Sequence, residues 1–250
     1  MSDAAAHAGV HDAAHHHPHH AALQHQFQTM GQQKEAAVLG MWAFLLTEIL
    51  FFGGLFMAYL LYRTWYHDAF RAASTSITLF WGALNTVVLI GSSLTMALAV
   101  RAAQTNKRQA TVNWLILTMV LGLVFLGVKV IEYADKFEHH HVPGPNFVWE
   151  APGHEAAATH ESTHPVSPDA PHFQQHTQIF FSLYFTMTGL HALHMIIGIG
   201  LMSVITWMAW KGRFDGEYYT PVEMSGLYWH FVDIVWIFLF PLLYLVERHN

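Results

Sequence analysis

The stretch "MWAFLLTEILFFGGLF", Met41 to Phe56, decides the fold class, because every residue in it except Thr47 and Glu48 is apolar or glycine. It lies within a longer apolar segment, at about 36–62. A helix of about 20 apolar residues crosses a hydrocarbon core of about 30 Å, so this segment predicts a membrane span. It also raises a question about function, since a carboxylate, Glu48, stands inside the span.

Further apolar segments of membrane-spanning length follow along the chain, at about 77–101, 112–135, 177–209 and 225–246. Composition agrees, because 53% of the residues are hydrophobic and 11% are charged, too few charges for an ordinary soluble domain. The sequence thus predicts an all-α, polytopic transmembrane helical bundle of five spans. The fourth span is longer than a straight crossing requires, so we expect it to tilt or to project from the membrane.

Composition excludes several classes of protein. Cysteine is absent, which excludes disulfides, cysteine-based metal sites, covalent haem attachment and thiol catalysis. The net charge is −6 with neutral histidine, so we expect no nucleic-acid partner. No basic and apolar leader precedes Ala36, so we expect the first span to act as its own insertion signal.

The positive charges in the connections predict the orientation, because cytoplasmic loops are enriched in Lys and Arg. An inner N-terminus places six of them inside and four outside; the inner ones are Lys34, Arg101, Lys107, Arg108, Lys211 and Arg213, and the outer ones are Arg63, Arg71, Lys136 and Arg248. The long loop at 137–175 has no Lys or Arg, which favours the outside. We therefore expect a bacterial cytoplasmic membrane protein with its N-terminus in the cytoplasm and its C-terminus outside.

Histidine is concentrated in two polar regions. Residues 1–25 hold eight of the 21 histidines and residues 139–176 hold another eight. We interpret residues 1–35 as a disordered cytoplasmic tail and 36–250 as the membrane domain, with a long outer loop at 137–175. A surface metal site in these histidines is the alternative to a solvated tail.

The ionisable and amide groups inside the spans are candidates for function, because burying them in a bilayer costs about 2.5–3.5 kcal/mol each at the centre. With a rise of 1.5 Å per residue, they lie roughly 18 to 27 Å from the inner ends of their helices; these groups are Glu48, Asn85, His194, His191 and Lys129. The shared depth predicts one polar cluster around Glu48. The alternative is that each group is satisfied locally.

Two pairs of residues three apart share a helical face. His191 and His194 are candidates for haem or metal ligation, although hydrogen-bonded interior histidines explain them better, because one helix cannot supply both axial ligands of a haem. His230 and Asp233 either form a local pair or bind a lipid head group or a neighbouring subunit.

Lys129 and Glu132 are also three apart, which predicts an intrahelical salt bridge. Nine glycines in the spans predict close helix packing; they are Gly53, Gly54, Gly82, Gly91, Gly122, Gly127, Gly189, Gly198 and Gly200. No nucleophile, base and orienting group coincide, so the sequence predicts no catalytic residue of its own.

The same segments resemble subunit III of the haem–copper terminal oxidases. The resemblance rests on "WAFLLTEILFFGGLFMAYL", "FLGVKVIEYADKF", "FFSLYFTMTGLHALHMIIGIG" and "YWHFVDIVWIFLFPLLYL", which occur in the family's order and cover about residues 36–247. Because the first two helices of the seven-helix mitochondrial type are absent, the chain is similar to the five-helix bacterial form. Subunit III of this family is expected to enclose lipids in a cleft between two groups of helices. The absence of the first two helices leaves open whether this chain closes that cleft by itself.

The resemblance implies a function without catalysis in this chain, as part of a proton-pumping oxidoreductase of the cytochrome c oxidase type. Such a subunit III holds no haem, copper or other metal, packs beside the catalytic subunit I, supports its proton supply and binds phospholipid. Glu48 would be the family's buried carboxylate, facing His191 and His194, while His230 and Asp233 match the last helix's motif. Alternatives are a quinol oxidase subunit III, an accessory subunit of a nitric oxide reductase, or a stand-alone His-dependent metal or haem carrier.

Overall fold

The computed structural model describes residues 22–75, 77–138, 171–215 and 218–245. In these ranges the chain forms six helices, and a π-helical turn, Pro241–Leu245, continues the last; the helices are α1 (Met30–Trp65), α2 (His67–Thr75), α3 (Leu79–Gln104), α4 (Arg108–Glu138), α5 (Pro171–Trp210) and α6 (Thr220–Phe240). All but α2 are long and apolar enough to cross a membrane. The predicted all-α fold with five spans is confirmed.

All of the spanning helices except α3 begin before the predicted spans. Helix α1 begins at Met30, six residues before the predicted start at residue 36, and α5 runs for 40 residues. Hydropathy finds only the part of a helix that lies in hydrocarbon, whereas helical hydrogen bonding continues into the interface. The short α2 was not predicted, because nine residues cannot cross a bilayer. It buries Phe70 and Ala73 and packs against α5.

Local sequence fixes several helix ends. The Thr29 hydroxyl accepts a hydrogen bond from the Gln32 backbone N–H at the start of α1. After α3 and α5, Asn106 and Gly212 adopt left-handed backbone conformations and close Schellman-type turns, which allow the chain to reverse. Pro241 lacks a backbone N–H, and the regular α-helix of α6 ends just before it.

The helices pack around α6, which contacts α1, α3 and α5. Helices α3 and α4 form the most extensive pair. Helix α1 buries only Leu45, Phe52 and Tyr59, which are seven residues apart and so form one narrow stripe. The rest of α1 exposes large apolar side chains, as expected for a surface that faces lipid or another membrane protein.

The predictions for residues 1–21 and for most of the 137–175 loop concern parts of the chain outside the described residues. They remain predictions.

Candidate functional site

Glu48 on α1 and His194 on α5 form a pair, with Glu48 Oε2 3.2 Å from His194 Nε2. The other ring nitrogen, Nδ1, lies 2.8 Å from the Leu190 carbonyl oxygen and must therefore donate its hydrogen to it. The contact to Glu48 then needs one more proton, which either ring Nε2 or the carboxyl oxygen carries. The pair can thus hold one proton between two helices.

The surroundings of this pair are largely apolar. The Phe52 ring packs edge-on to the His194 ring, with centroids 5.2 Å apart. The Glu48 and His194 side chains retain 18% and 14% of their exposure, so both are within reach of a small polar molecule from outside. Because neither group is sealed in the core, the pair can exchange a proton with its surroundings.

The predicted single cluster is confirmed for Glu48 and His194 and wrong for Lys129, which bonds to Glu132 instead. His191 lies one helical turn from His194 but packs between Phe125 and Trp236, with ring centroids 5.3 and 5.2 Å away. Its position three residues away rotates it by about 60° around α5, toward different neighbours. A shared depth along the helices is thus compatible with contact but does not specify lateral position.

Asn85 and His191 are completely buried. Neither polar end has a hydrogen-bond partner among the described residues. Buried amide and imidazole groups in proteins are ordinarily satisfied, often by an internal water.

Lys129 and Glu132 form the predicted intrahelical salt bridge, with Nζ 2.8 Å from Oε2. Both side chains are 3% exposed. Two tyrosines donate to the other carboxylate oxygen, Oε1: Tyr184 on α5 at 2.8 Å and Tyr244 in the π-helical turn at 2.5 Å. Lys129 also donates to the Tyr244 hydroxyl at 3.0 Å. This buried tyrosine network joins α4, α5 and the end of α6.

The tyrosines were not predicted, because only carboxylate, lysine, histidine and asparagine side chains were compared by depth. Tyr244 lies roughly 28 Å from residue 225, the predicted start of the last span, and so at about the depth of Lys129. That depth would have suggested the contact. The same arithmetic puts Tyr184 near 38 Å from its inner end, so it would not have found Tyr184.

His230 and Asp233 do not bond to each other in the described structure. His230 Nδ1 instead lies 2.8 Å from the Ser93 hydroxyl oxygen on α3. Asp233 is 3% exposed, and neither of its carboxylate oxygens has a hydrogen-bond partner of good geometry in the described ranges. Both residues line a cleft of about 400 Å³ between α3 and α6, whose walls are otherwise mostly apolar.

Comparison with known proteins identifies the family. The sequence model described as cytochrome c oxidase subunit III matches residues 169–247. Cytochrome c oxidase subunit 3 of Thermostichus vulcanus is 32% identical over 84% of this chain and 88% of that relative. The chain belongs to the cytochrome c oxidase subunit III family. Cytochrome bo(3) ubiquinol oxidase subunit 3 of Pseudomonas aeruginosa is 28% identical over 84% of each chain.

Membership of the subunit III family makes the chain a multi-pass membrane protein and part of a terminal oxidase complex with other oxidase subunits. The family match covers α5 and α6 and includes His191, His194, His230 and Asp233. No group of three or more His, Asp or Glu in the described ranges is arranged to hold a metal ion. The relationship favours an oxidase subunit over a stand-alone metal or haem carrier.

Proposed function

We propose that this subunit III stabilises the catalytic subunit I of a proton-pumping oxidase and supports its proton supply and lipid environment, without catalytic residues of its own. The observation that carries the proposal is that ionisable groups within the spans form hydrogen bonds between helices. Glu48 bonds to His194 across α1 and α5, and the buried tyrosine network joins three elements. Such bonds between helices fix a scaffold, which is what a stabilising subunit requires.

Under this proposal, haem and copper reside in the partner subunits and this chain binds phospholipid. A cleft of about 480 Å³ between α4 and α5 suits an acyl chain, with Ile116 and Met119 along its wall. Gln109 and Trp210 stand at its end, in the first turn of α4 and the last turn of α5. Amphipathic side chains at helix ends lie at head-group level, so a lipid fits this cleft in its natural orientation.

The proposed location is a bacterial cytoplasmic membrane, with the N-terminus inside and the C-terminus outside. The relatives from Thermostichus and Pseudomonas support the bacterial assignment. Lys34 at the start of α1 lies 3.1 Å from Glu223 at the start of α6, and Arg108 of α4 bonds to the Trp210 carbonyl at the end of α5. These helix ends therefore share one side, and that side carries more of the positive charge.

Cytochrome c is the proposed electron donor, since the 32% identical relative is named a cytochrome c oxidase subunit. A quinol oxidase is the second candidate, because relatives at 28–29% identity are named quinol oxidase subunits. The purified complex distinguishes the two by oxidising either reduced cytochrome c or a quinol. Oxidation of quinol alone would reject the first assignment.

A complex prepared with and without this chain tests the proposal. We expect equal haem content per catalytic subunit and similar oxygen consumption in the first turnovers. The complex lacking the chain should lose activity sooner during sustained turnover. A stoichiometric Soret band in the isolated chain would contradict the proposal, as would a tagged chain that recovers no oxidase subunit.

Glu48→Gln provides a sharper test within the assembled complex. The Gln amide can donate to His194 Nε2 while Nδ1 continues to donate to Leu190, so α1 should stay in place. The pair loses its shared proton, so we expect normal assembly and initial rate but fewer turnovers before inactivation. Thr47→Ala, at an exposed neighbouring position, is the matched control and should behave as wild type. Abolition of the first turnovers by Glu48→Gln would contradict a supporting role.

A further inference from the structure

The face of α6 that points away from the centre of the bundle forms the floor of a trough between α1 and α3, which we call the α6 trough. Its central ridge is half exposed and apolar, and consists of Ile234, Ile237 and Phe238. On one side lies an apolar groove of about 240 Å³ against α1, lined by Ile49, Phe52 and Phe56. On the other lies the 400 Å³ cleft against α3, lined by Ile90, Leu94 and Ala97. Ile234 and Ile237 border the α3 cleft, and Ile234 and Phe238 border the α1 groove.

A polar site lies in the α3 side of this trough. Asp233 lines the cleft, is 97% buried as a residue, and both carboxylate oxygens lack a satisfactory partner in the described structure. The Ser93 hydroxyl is close to Asp233 and also bonds to His230 Nδ1; with its single hydrogen it can satisfy at most one of the two carboxylate oxygens. A carboxyl left unsatisfied against hydrocarbon is costly, so the site calls for a hydrogen-bond donor from outside the described chain.

The depth of the site argues against a phospholipid head group as that donor. Helix α6 and its π-helical turn span 26 residues, about 39 Å at 1.5 Å per residue. Asp233 lies about 20 Å and His230 about 15 Å from Thr220, and so near the middle of the crossing. Head groups lie at the two ends of the hydrocarbon core, and acyl chains offer no hydrogen-bond donor.

We propose that the α6 trough receives a transmembrane helix of another oxidase subunit, which presents a polar side chain that donates a hydrogen bond to Asp233. The inference rests on the proposed function, since it assumes assembly into an oxidase. Two grooves that flank one ridge of side chains match the way helices pack, ridges into grooves. A small ring-shaped ligand such as a quinone head group would occupy the α3 cleft alone and would leave the α1 groove uncovered. Ser, Thr, Tyr, Asn, Gln, Lys or Arg on the partner helix would meet the polar requirement.

Site-specific photo-crosslinking in the whole complex tests the position of the interface. A photoreactive phenylalanine analogue replaces Ile237 in the trough and, as a matched control, Val204, which is similarly exposed on α5. We expect the Ile237 position to yield an adduct with another oxidase subunit. Adducts to lipid, to a quinone or to a second copy of this chain alone would overturn the inference, as would an oxidase adduct from Val204 and none from Ile237.

Substitution of the acid tests the polar contact. We expect Asp233→Leu to reduce the recovery of oxidase subunits with the tagged chain about tenfold, because the partner's donor is left unpaired. Asp233→Asn keeps an acceptor oxygen and should reduce recovery by about threefold or less. Unfolding of each free variant in detergent shows whether the chain itself is intact. Wild-type recovery by Asp233→Leu would overturn the polar contact.

The two proposals fail in different ways. If the wild-type tagged chain recovers no oxidase subunit, the proposed function is wrong. If it does recover them but the trough positions yield no subunit adduct, only the docking site is wrong.

Discussion

At the scale of single residues, the Lys129–Glu132 pair shows how a membrane interior accommodates charge. The two side chains carry opposite charges, 2.8 Å apart, and two tyrosine hydroxyls donate to the carboxylate. Desolvation of each ion is therefore offset by the other ion and by hydrogen bonds. The Lys129 ammonium also lies 4.8 Å from the centre of the Trp236 ring, a favourable cation–π distance.

This pairing predicts that single substitutions are more harmful than a double one. Glu132→Gln leaves the Lys129 ammonium buried without its counter-ion, so we expect the free energy of unfolding to fall by about 3 kcal/mol. Lys129→Met combined with Glu132→Leu removes both charges and should recover most of that loss. Unfolding of the detergent-solubilised chain measures both variants. A double variant as unstable as Glu132→Gln would contradict the explanation.

At the scale of elements, the sequence predicted the five spans because lipid imposes a strong requirement: each segment that crosses the bilayer in a helical protein must be apolar and form a continuous helix. It did not predict α2, which buries Phe70 and Ala73 but has no spanning length. It predicted the neighbouring helices only in part. Glu48 and His194 were expected to meet and do, yet Lys129, at a similar depth, faces another part of the bundle.

Glycine positions show the same limit of sequence information. All nine were predicted to serve close packing, but the structure separates them. A Cβ at Gly122 would lie 2.8 Å from the Trp229 ring, and one at Gly198 3.0 Å from it. A Cβ at Gly53, Gly54, Gly127 or Gly200 would meet no atom of another element within 4 Å among the described residues, so for close packing within the described chain the prediction is wrong at these four. The spacing of glycines in a helix does not reveal which of them faces a bulky neighbour.

This difference between glycines predicts opposite effects of the same substitution. Trp229 is fully buried and donates to the Ser92 hydroxyl oxygen at 2.8 Å, so it cannot easily move away from a new methyl group. We expect Gly122→Ala to lower the free energy of unfolding by about 1–3 kcal/mol relative to Gly127→Ala on the same helix. Gly127→Ala itself should be neutral or stabilising by up to about 1 kcal/mol.

Thermal unfolding in detergent compares the two alanine variants directly. Gly198→Ala and Gly200→Ala form a second matched pair, on α5. Equal stability within both pairs would show that Trp229 does not limit packing between α4 and α5.

At the scale of the whole molecule, the ionisable groups within the spans and the apolar surface serve different contacts. Glu48 bonds to His194 on α5, and the Lys129–Glu132 pair on α4 bonds to Tyr184 on α5 and to Tyr244 in the π-helical turn, so these contacts are all made within the chain. The carboxyl of Asp233 is also buried but instead lines the α6 trough, and its oxygens have no satisfactory partner in the described ranges. A subunit with this arrangement folds around its own polar contacts and retains one polar contact for assembly. Family resemblance predicted the assembly, whereas the position of that contact required the structure.

The orientation of the whole molecule can be tested directly, because the chain has no cysteine. Single-cysteine variants at Lys107, between α3 and α4, and at Asp68, in α2, place one exposed thiol on each side of the membrane. The excess of Lys and Arg on the Lys107 side predicts that it is cytoplasmic. In intact cells an impermeant maleimide should therefore label Asp68→Cys and spare Lys107→Cys until the membrane is opened. Lys211→Cys, between α5 and α6, is the matched control and should behave like Lys107→Cys. Labelling of both inner positions in intact cells, with Asp68→Cys protected, would reverse the orientation and with it the side from which this subunit could supply protons.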